Sequence, residues 1–301
     1  MTGCKMKKIF LLLSLTVFIS CADNQSDFTF VFMTDIHVQP ELRATQGFQQ
    51  AITRVNELNP EFVITGGDLV YDVLDETFDR ADSLFTIYQT TIRLFNMPVY
   101  NTIGNHEVFG IRQKGGISPD HMQYGKKLYL DRLAQESTYY SFDHKGWHFM
   151  ILDAIDFTPE QNYFGYIDST QIAWIKKDLE TVSPETPVVI SLHIPLASVF
   201  AQMRQGATAA LSETAVVSNS KEVMDLFSDH HLKLVLQGHL HIVEEIIYKD
   251  THFITAGAVS GGWWKGSREG FPEGFARINV KGDDFDWSYE TFGWQANPEH
   301  Q

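Results

Sequence analysis

Cysteine is nearly absent from the 301-residue chain: its two copies, Cys4 and Cys21, both stand at the N-terminus. No disulfide framework, thiolate zinc site or cysteine nucleophile is therefore available to the rest of the chain. Positive charge is scarce too, with 23 Lys and Arg against 38 Asp and Glu and a formal net charge of −15. Generic nucleic-acid binding needs a basic face to displace counterions, and this composition does not offer one. An acidic chain can still hold phosphate where a local positive element, such as a bound metal, supplies the charge. A Gly-rich Walker loop and a GxSxG elbow are missing, since Gly257-Ala258-Val259-Ser260-Gly261 has its serine in the wrong place. There is no Pro- or Ser-rich linker and no internal repeat. What remains is an ordinary globular mix, 44% hydrophobic and 13% aromatic, which excludes disorder and collagen.

The N-terminus reads as an address. Lys5, Lys7 and Lys8 precede an apolar run from Ile9 to Ile19, broken only by Ser14 and Thr16. The run is shorter than the roughly 20 residues a membrane span needs. A basic start before a short apolar stretch is the pattern of a secretory signal. Its end, Phe18-Ile19-Ser20-Cys21, resembles a bacterial lipoprotein signal, with Phe18 where that pattern favours Leu. The expectation is a signal peptide over 1–20, a lipidated Cys21 and a polar tether over 21–27. The protein would be exported to the bacterial periplasm or anchored to the outer membrane, touching the membrane only through its N-terminal lipid. The alternative is simple cleavage and a soluble periplasmic protein.

Short runs rich in β-branched and aromatic residues read as buried strands: Phe28–Met33, Phe62–Thr65, Pro98–Thr102, Pro187–Leu192 and Leu232–Gln237. Between them lie helical stripes. Phe48, Ala51, Ile52, Val55 and Leu58 share one face, as do Phe78, Ala81, Phe85, Tyr88, Ile92 and Phe95. Ile172, Ile175, Leu179 and Val182 make a third, opened by Asp168 and Gln171 in a capping-box pattern. Strands alternating with helices predict an α/β core. Ser137–Asp143 and Trp147–Asp153 read as a hairpin, and Val243–Thr291 as strand and turn. Together they predict a second sheet packed on the first, within one domain over 28–295.

Each of the five apolar runs is followed within about three residues by a potential metal ligand. They lead, in order, to Asp35-Ile36-His37, Gly66-Gly67-Asp68, Gly104-Asn105-His106-Glu107, His193, and Gly238-His239-Leu240-His241. Ligands in α/β sheets bind beyond the carboxyl ends of the strands, so these side chains can converge on one crevice. Asp35 and His37, two apart in extended chain, would point to the same side, as would His239 and His241. Glycines at 66, 67, 104 and 238 would let the chain turn past the site. Asp, His and Asn without thiolate suit Mn, Fe, Zn or Co, and seven donors are too many for one ion.

The ordered series Asp-x-His, Gly-Gly-Asp, Gly-Asn-His-Glu, His, Gly-His-x-His resembles the calcineurin-like metallophosphoesterase superfamily, and it spans residues 35–241. The resemblance implies a four-layer α/β/β/α sandwich of two mixed sheets. It implies that Asp35, His37 and His241 hold one metal, that Asn105, His193 and His239 hold the second, and that Asp68 bridges them. His106 would face the substrate. Tyr71, three residues after Asp68, departs from the pattern. Protein phosphatases of the superfamily place there an aspartate that orients the catalytic histidine. Purple acid phosphatases place there a tyrosine on ferric iron, but they lack the histidine that His37 supplies here. Asp72 is the remaining candidate partner of His106.

The implied activity is hydrolysis of a phosphoester, mono- or diester, by a hydroxide bridging two divalent or trivalent ions, Mn, Fe or Zn foremost, with His106 assisting the leaving group. The substrate would be a small phosphoester or a lipid headgroup. The alternative is a binding module that keeps the fold without catalysis. Two further segments carry open readings. Residues 107–136, with Arg112, Lys114, Lys126 and Lys127, form a solvated surface loop or a cap over the site. Gly261–Gly266, with Trp263, Trp264 and Lys265, offers a stacking surface near His239 and His241 or buries a tryptophan in the core.

Overall fold

Alternation along β1 (Phe28–Met33) sets the layering. In the computed structural model Phe30 and Phe32 point into one cluster of buried residues, Val31 and Met33 into another. A strand buried on both faces lies between two covering layers. The structure describes Met1 and residues 27–112, 115–158 and 162–297. Apart from Met1, the expected signal segment lies outside the described residues, as do Cys21, residues 22–26 of the tether, Lys114 and His300.

After β1 the described elements run α1 (Ala44–Leu58), β2 (Phe62–Gly66), α2 (Phe78–Ile92), β3 (Val99–Thr102), α3 (Lys127–Leu133), β4 (Tyr140–His144), β5 (Trp147–Ile151), β6 (Ile155–Phe157), β7 (Tyr163–Gly165), α4 (Ser169–Leu179), β8 (Val188–Ser191), α5 (Phe200–Gln205), α6 (Ser220–Asp225), β9 (Leu232–Gln237), β10 (Val243–Tyr248), β11 (Thr251–Ala256), β12 (Gly274–Lys281) and β13 (Asp284–Thr291). One sheet has the order β13-β12-β1-β2-β3 and the other β10-β11-β9-β8-β5-β4. In the first, β1, β2 and β3 are parallel while β12 and β13 add antiparallel. In the second, β11, β9, β8 and β5 are parallel and β10 and β4 close the edges antiparallel. Both sheets are mixed, as expected. β6 and β7 pair as a separate ribbon.

The sheets meet through Phe30, Phe32, Phe62, Phe149, Leu234 and Ile254. The outer face of the first sheet is covered by Phe48 and Ile52 of α1 and by Phe85 and Tyr88 of α2. Ile172 and Ile175 of α4 and Val223 of α6 cover the outer face of the second. The result is the four-layer α/β/β/α sandwich. Trp147 is fully buried in the middle, and its Nε1 donates to the Gly282 carbonyl at 2.9 Å. Trp147→Ala is expected to cost about 3–5 kcal/mol through the cavity it leaves. Urea unfolding followed by circular dichroism checks this; a loss under about 1 kcal/mol would deny Trp147 its core role.

Three local readings need correction. The first concerns residues 107–136, whose described middle, 115–124, is largely a surface loop as one reading had it but whose two ends are core. Val108, Phe109, Ile111, Leu128 and Tyr129 are fully buried, and α3 packs on α2. Their apolar residues follow neither a helical nor a strand period, so pattern reading has no handle on them. Next, the strand expected from Ser137 starts only at Tyr140. Finally, the capping pattern at α4 is half realised. Asp168 accepts from the Gln171 N–H at 2.8 Å, but the Gln171 side chain pairs with the backbone of Asp153 instead.

Candidate metal centre

The parallel strands of the two sheets end at one edge of the sandwich. β1 delivers Asp35 and His37, β2 Asp68, β3 Asn105 and His106, β8 His193, and β9 His239 and His241. Their donor atoms fall into three overlapping groups able to hold a metal ion: Asp35, His37 and His241; His37, Asp68 and His106; Asp68, His193 and His239. Within each group the atoms lie within 4.8 Å of one another.

The backbone reaches this arrangement differently from the extended chain expected. Asp35, His37, Asp68, His239 and His241 all have positive φ, at 56°, 47°, 51°, 69° and 55°. Left-handed conformations in non-glycine residues cost energy and persist where the surroundings over-determine them. Here the loops hold one another. The Asp35 N–H donates to the Gly67 carbonyl at 3.0 Å and the His37 N–H to the Asp68 carbonyl at 2.9 Å. The His239 N–H donates to Asp35 Oδ2 at 2.9 Å, tying the last motif to the first.

Three of the imidazoles, those of His37, His193 and His241, have one nitrogen turned outward to a carbonyl and one turned inward. His37 Nδ1 faces the Tyr71 carbonyl at 3.3 Å, His193 Nδ1 the Gly66 carbonyl at 2.8 Å, and His241 Nδ1 the Gly261 carbonyl at 2.5 Å. A carbonyl only accepts, so each of these nitrogens carries a proton, and in a neutral ring the inner nitrogen then has a lone pair. Two such lone pairs, His37 Nε2 and His241 Nε2, then face each other at 3.2 Å. His193 Nε2 and His239 Nδ1 face each other at 3.2 Å as well. Asp68 Oδ2 stands between the pairs, 3.6 Å from His37 Nε2 and 3.1 Å from His193 Nε2. Asp35 Oδ1 and both side-chain amide atoms of Asn105 are buried without a hydrogen-bond partner. Facing lone pairs and orphaned oxygens are what a cation would satisfy, so the residues fit metal binding.

Protonation agrees. Burial, with the His106 charge next, pushes the His37 imidazole down to about 3. Burial and the neighbouring His193 push His239 down to about 4. Burial works to raise the Asp35 carboxyl, but His241 and His193 outweigh it and hold it at about 2. Asp68 lies well below the usual carboxylate range for the same reason, against its own burial. Among the imidazoles His193 goes up, to about 9: burial opposes the proton and the Asp68 carboxylate overrides it, so its inner Nε2 carries a proton as well. A cation entering there displaces that proton.

Glu107 is a residue that the motif contained and whose role went unread. Its Oε2 accepts from the N–H groups of Asp68 and Gly104 at 2.9 and 2.8 Å, and its Oε1 from Leu69 and Val70 at 2.8 and 3.1 Å. It rivets the Asp68 loop to the Asn105–Glu107 turn. It is fully buried, which nothing in the sequence announces. Gly104 serves by close approach: a Cβ there would lie 2.2 Å from the Asp68 nitrogen and 2.3 Å from its Oδ1.

His106 sits at the mouth with its side chain 22% exposed. Its backbone N–H donates to Asp68 Oδ1 at 3.0 Å, its Nε2 lies 3.7 Å from Asp68 Oδ2, and its Nδ1 lies 3.9 Å from Asp72 Oδ1. Burial pushes the Asp72 carboxyl up. Tyr71 reaches the site through its carbonyl, on His37. The two tryptophans divide the readings made of them. Trp264 is buried, its Nε1 shared between the Ile36 and His37 carbonyls at 2.9 and 3.1 Å. Trp263 is half-buried and lines the site, its ring 4.6 Å from that of His241. Tyr163 of β7 stands edge-on to His239 at 6.2 Å. Among the described residues, His121, His144, His148, His230, His231 and His252 stay outside the three donor groups.

A two-sheet sandwich whose strand ends gather carboxylates and imidazoles defines a metallophosphoesterase architecture. Residues 28–243 match the family model for calcineurin-like phosphoesterases, and the chain belongs to that family. It is similar in fold to a dimetal phosphatase from Danio rerio, at 14% identity and a TM-score of 0.63, covering 87% of this chain and 95% of that one. It is also similar to a purple acid phosphatase from yellow lupin seeds, at 15% identity and a TM-score of 0.53, over 91% of this chain and 53% of the other. The Plasmodium protein GAP50, described as the anchor in the inner membrane complex, shares the fold at 12% identity and a TM-score of 0.51, over 89% and 85% of the two chains. No curated relative matches the sequence.

Proposed function

We propose that the chain hydrolyses a phosphoester at a dinuclear centre. Asp35, His37 and His241 hold one ion, Asn105, His193 and His239 the other, and Asp68 is shared. The observation that carries this reading is the pair of imidazole couples, each facing across 3.2 Å, with the outer nitrogens of His37, His241 and His193 engaged by backbone carbonyls. Carboxylate, imidazole and amide donors suit Mn, Fe or Zn. Bound ions supply an activated water and offset charge on the phosphoryl oxygens. The chain's part is preorganisation and proton handling. Carbonyls of Tyr71, Gly66 and Gly261 fix the tautomers, and Glu107 fixes the loop of Asp68. His106, at the mouth, holds a proton for the leaving oxygen, with Asp72 Oδ1 as a neighbouring carboxylate 3.9 Å from its Nδ1. The substrate is a small phosphoester or a lipid headgroup.

The test is to strip the protein with a chelator, reload it with Mn, Fe or Zn, and assay p-nitrophenyl phosphate and bis(p-nitrophenyl) phosphate. Hydrolysis should vanish and return. A chain that carries two ions and cleaves neither ester would overturn the reading in favour of a non-catalytic module. Gly104→Ala should push Asp68 aside and leave fewer than two ions per chain by plasma mass spectrometry; full occupancy would show that the loop adapts.

We further propose that the chain is exported and lipidated at Cys21, on the strength of the Lys-rich start and the Phe18–Cys21 ending. Cys21→Ser should abolish labelling by a radioactive fatty acid in a bacterial host. Unchanged labelling would reject that site.

A further inference from the structure

Arg204 is bound to Glu269 at 2.6 Å, and Arg112 lies 3.9 Å from Asp75. Arg268 is different. Among the described residues no carboxylate lies within ion-pair distance of it, and its Nε is buried without a hydrogen-bond partner. Its sequence neighbour Glu269, the obvious partner, is the one taken by Arg204.

Yet the guanidinium is held in place. Its carbon lies 4.6 Å from the centre of the Trp263 ring. The same indole lies 4.6 Å from the His241 ring and 6.0 Å from that of His37. No more than one indole therefore separates Arg268 from the imidazoles of the centre. The backbone is fixed as well. Arg268 and Phe271 exchange backbone hydrogen bonds at 2.9 and 2.8 Å across a tight turn. On the other side, Trp263 stands with φ at 55° beside Trp264 at 68°, and Trp264 is pinned to the Ile36 and His37 carbonyls. Two successive tryptophans in the left-handed region are costly, and their surroundings hold them there.

A guanidinium resting on an aromatic face keeps its N–H edges free for in-plane hydrogen bonds, and the planar fork matches a carboxylate or phosphate bidentately. With no carboxylate of the described chain paired to it, this guanidinium is open to an anionic group from outside. We propose that Arg268, on its Trp263 platform, is a specificity-determining residue: it grips a second anionic group of the substrate, beyond the phosphoryl group at the centre. The favoured substrate class is then a phosphoester that carries a further phosphate or carboxylate a few bonds from the reacting phosphorus. This rests on the phosphoester reading above.

The test uses metal-loaded protein and calorimetry, with ethylphosphonate and 3-phosphonopropionate as probes. The two share the phosphonate and differ by a carboxylate. Wild type should bind the carboxylate-bearing probe about tenfold more tightly, as a charge-assisted bidentate contact gives. Arg268→Gln and Arg268→Ala should bind both probes alike while keeping two ions per chain, and Arg268→Lys should keep part of the preference. Equal binding of the two probes by wild type, or an unchanged preference in Arg268→Gln, overturns the proposal while leaving the phosphoester reading standing. Failure of both probes to bind a chain that holds two ions overturns both.

Discussion

Asp68→Ala is expected to strip the centre of both ions and abolish measurable hydrolysis. The reason is geometric. Asp68 Oδ2 lies 3.1 Å from His193 Nε2, 3.6 Å from His37 Nε2 and 3.7 Å from His106 Nε2, so Asp68 belongs to two of the three donor groups. Without it, each ion keeps mainly neutral ligands, and the buried site loses a carboxylate held ionised by His193 and His106 against the cost of burial. Loss of a group that merely supports a ligand costs roughly 10–100-fold in metal affinity; loss of the shared ligand should exceed that. Asp68→Asn retains Oδ1 as acceptor for the His106 N–H and separates charge from shape. Metal content by plasma mass spectrometry decides. Two ions retained in Asp68→Ala would remove Asp68 from the centre.

His106→Ala should do the opposite: two ions kept, turnover down by about 10²–10⁴-fold, the usual contribution of a positioned acid or base. His106 stands at the mouth with its side chain 22% exposed, and its Nδ1 has no hydrogen-bond partner. If it protonates the leaving oxygen, the loss depends on that oxygen. An alkyl phosphate, whose alkoxide is a poor leaving group, should suffer far more than p-nitrophenyl phosphate, which needs little help. A uniform loss across leaving groups would mean that His106 only shapes the site. Undiminished turnover would deny it any part.

The order of motifs was readable because the chemistry is written at strand ends. β1, β2, β3, β8 and β9 are short apolar runs, and each hands over to a polar donor at once. The layering was readable for the same reason: Phe30 and Phe32 alternate with Val31 and Met33. The left-handed backbone at Asp35, His37, Asp68, His239 and His241 was not. Nothing in an Asp or His announces positive φ, which here comes from contacts between loops far apart in sequence. Glu107 was hidden likewise. Its four backbone partners lie on two loops, and only the folded chain brings them to one carboxylate. The segment over 108–111 was misread because its burial follows no period. Trp263 and Trp264 stand side by side yet face a site and a core, since two consecutive positive φ values turn their side chains apart from the usual course.

The number of metal ions bound by the purified wild-type chain, counted together with that of His241→Ala, puts the dinuclear centre to the test. Asp35, His37 and His241 form one donor group, and His241 Nε2 lies 3.1 Å from Asp35 Oδ1 and 3.2 Å from His37 Nε2. The wild type should hold two ions and the variant one, with the Asp68, His193 and His239 group still filled. A wild type that takes up no ions from Mn, Fe or Zn solutions, or a variant as fully loaded as its parent, would contradict the assignment.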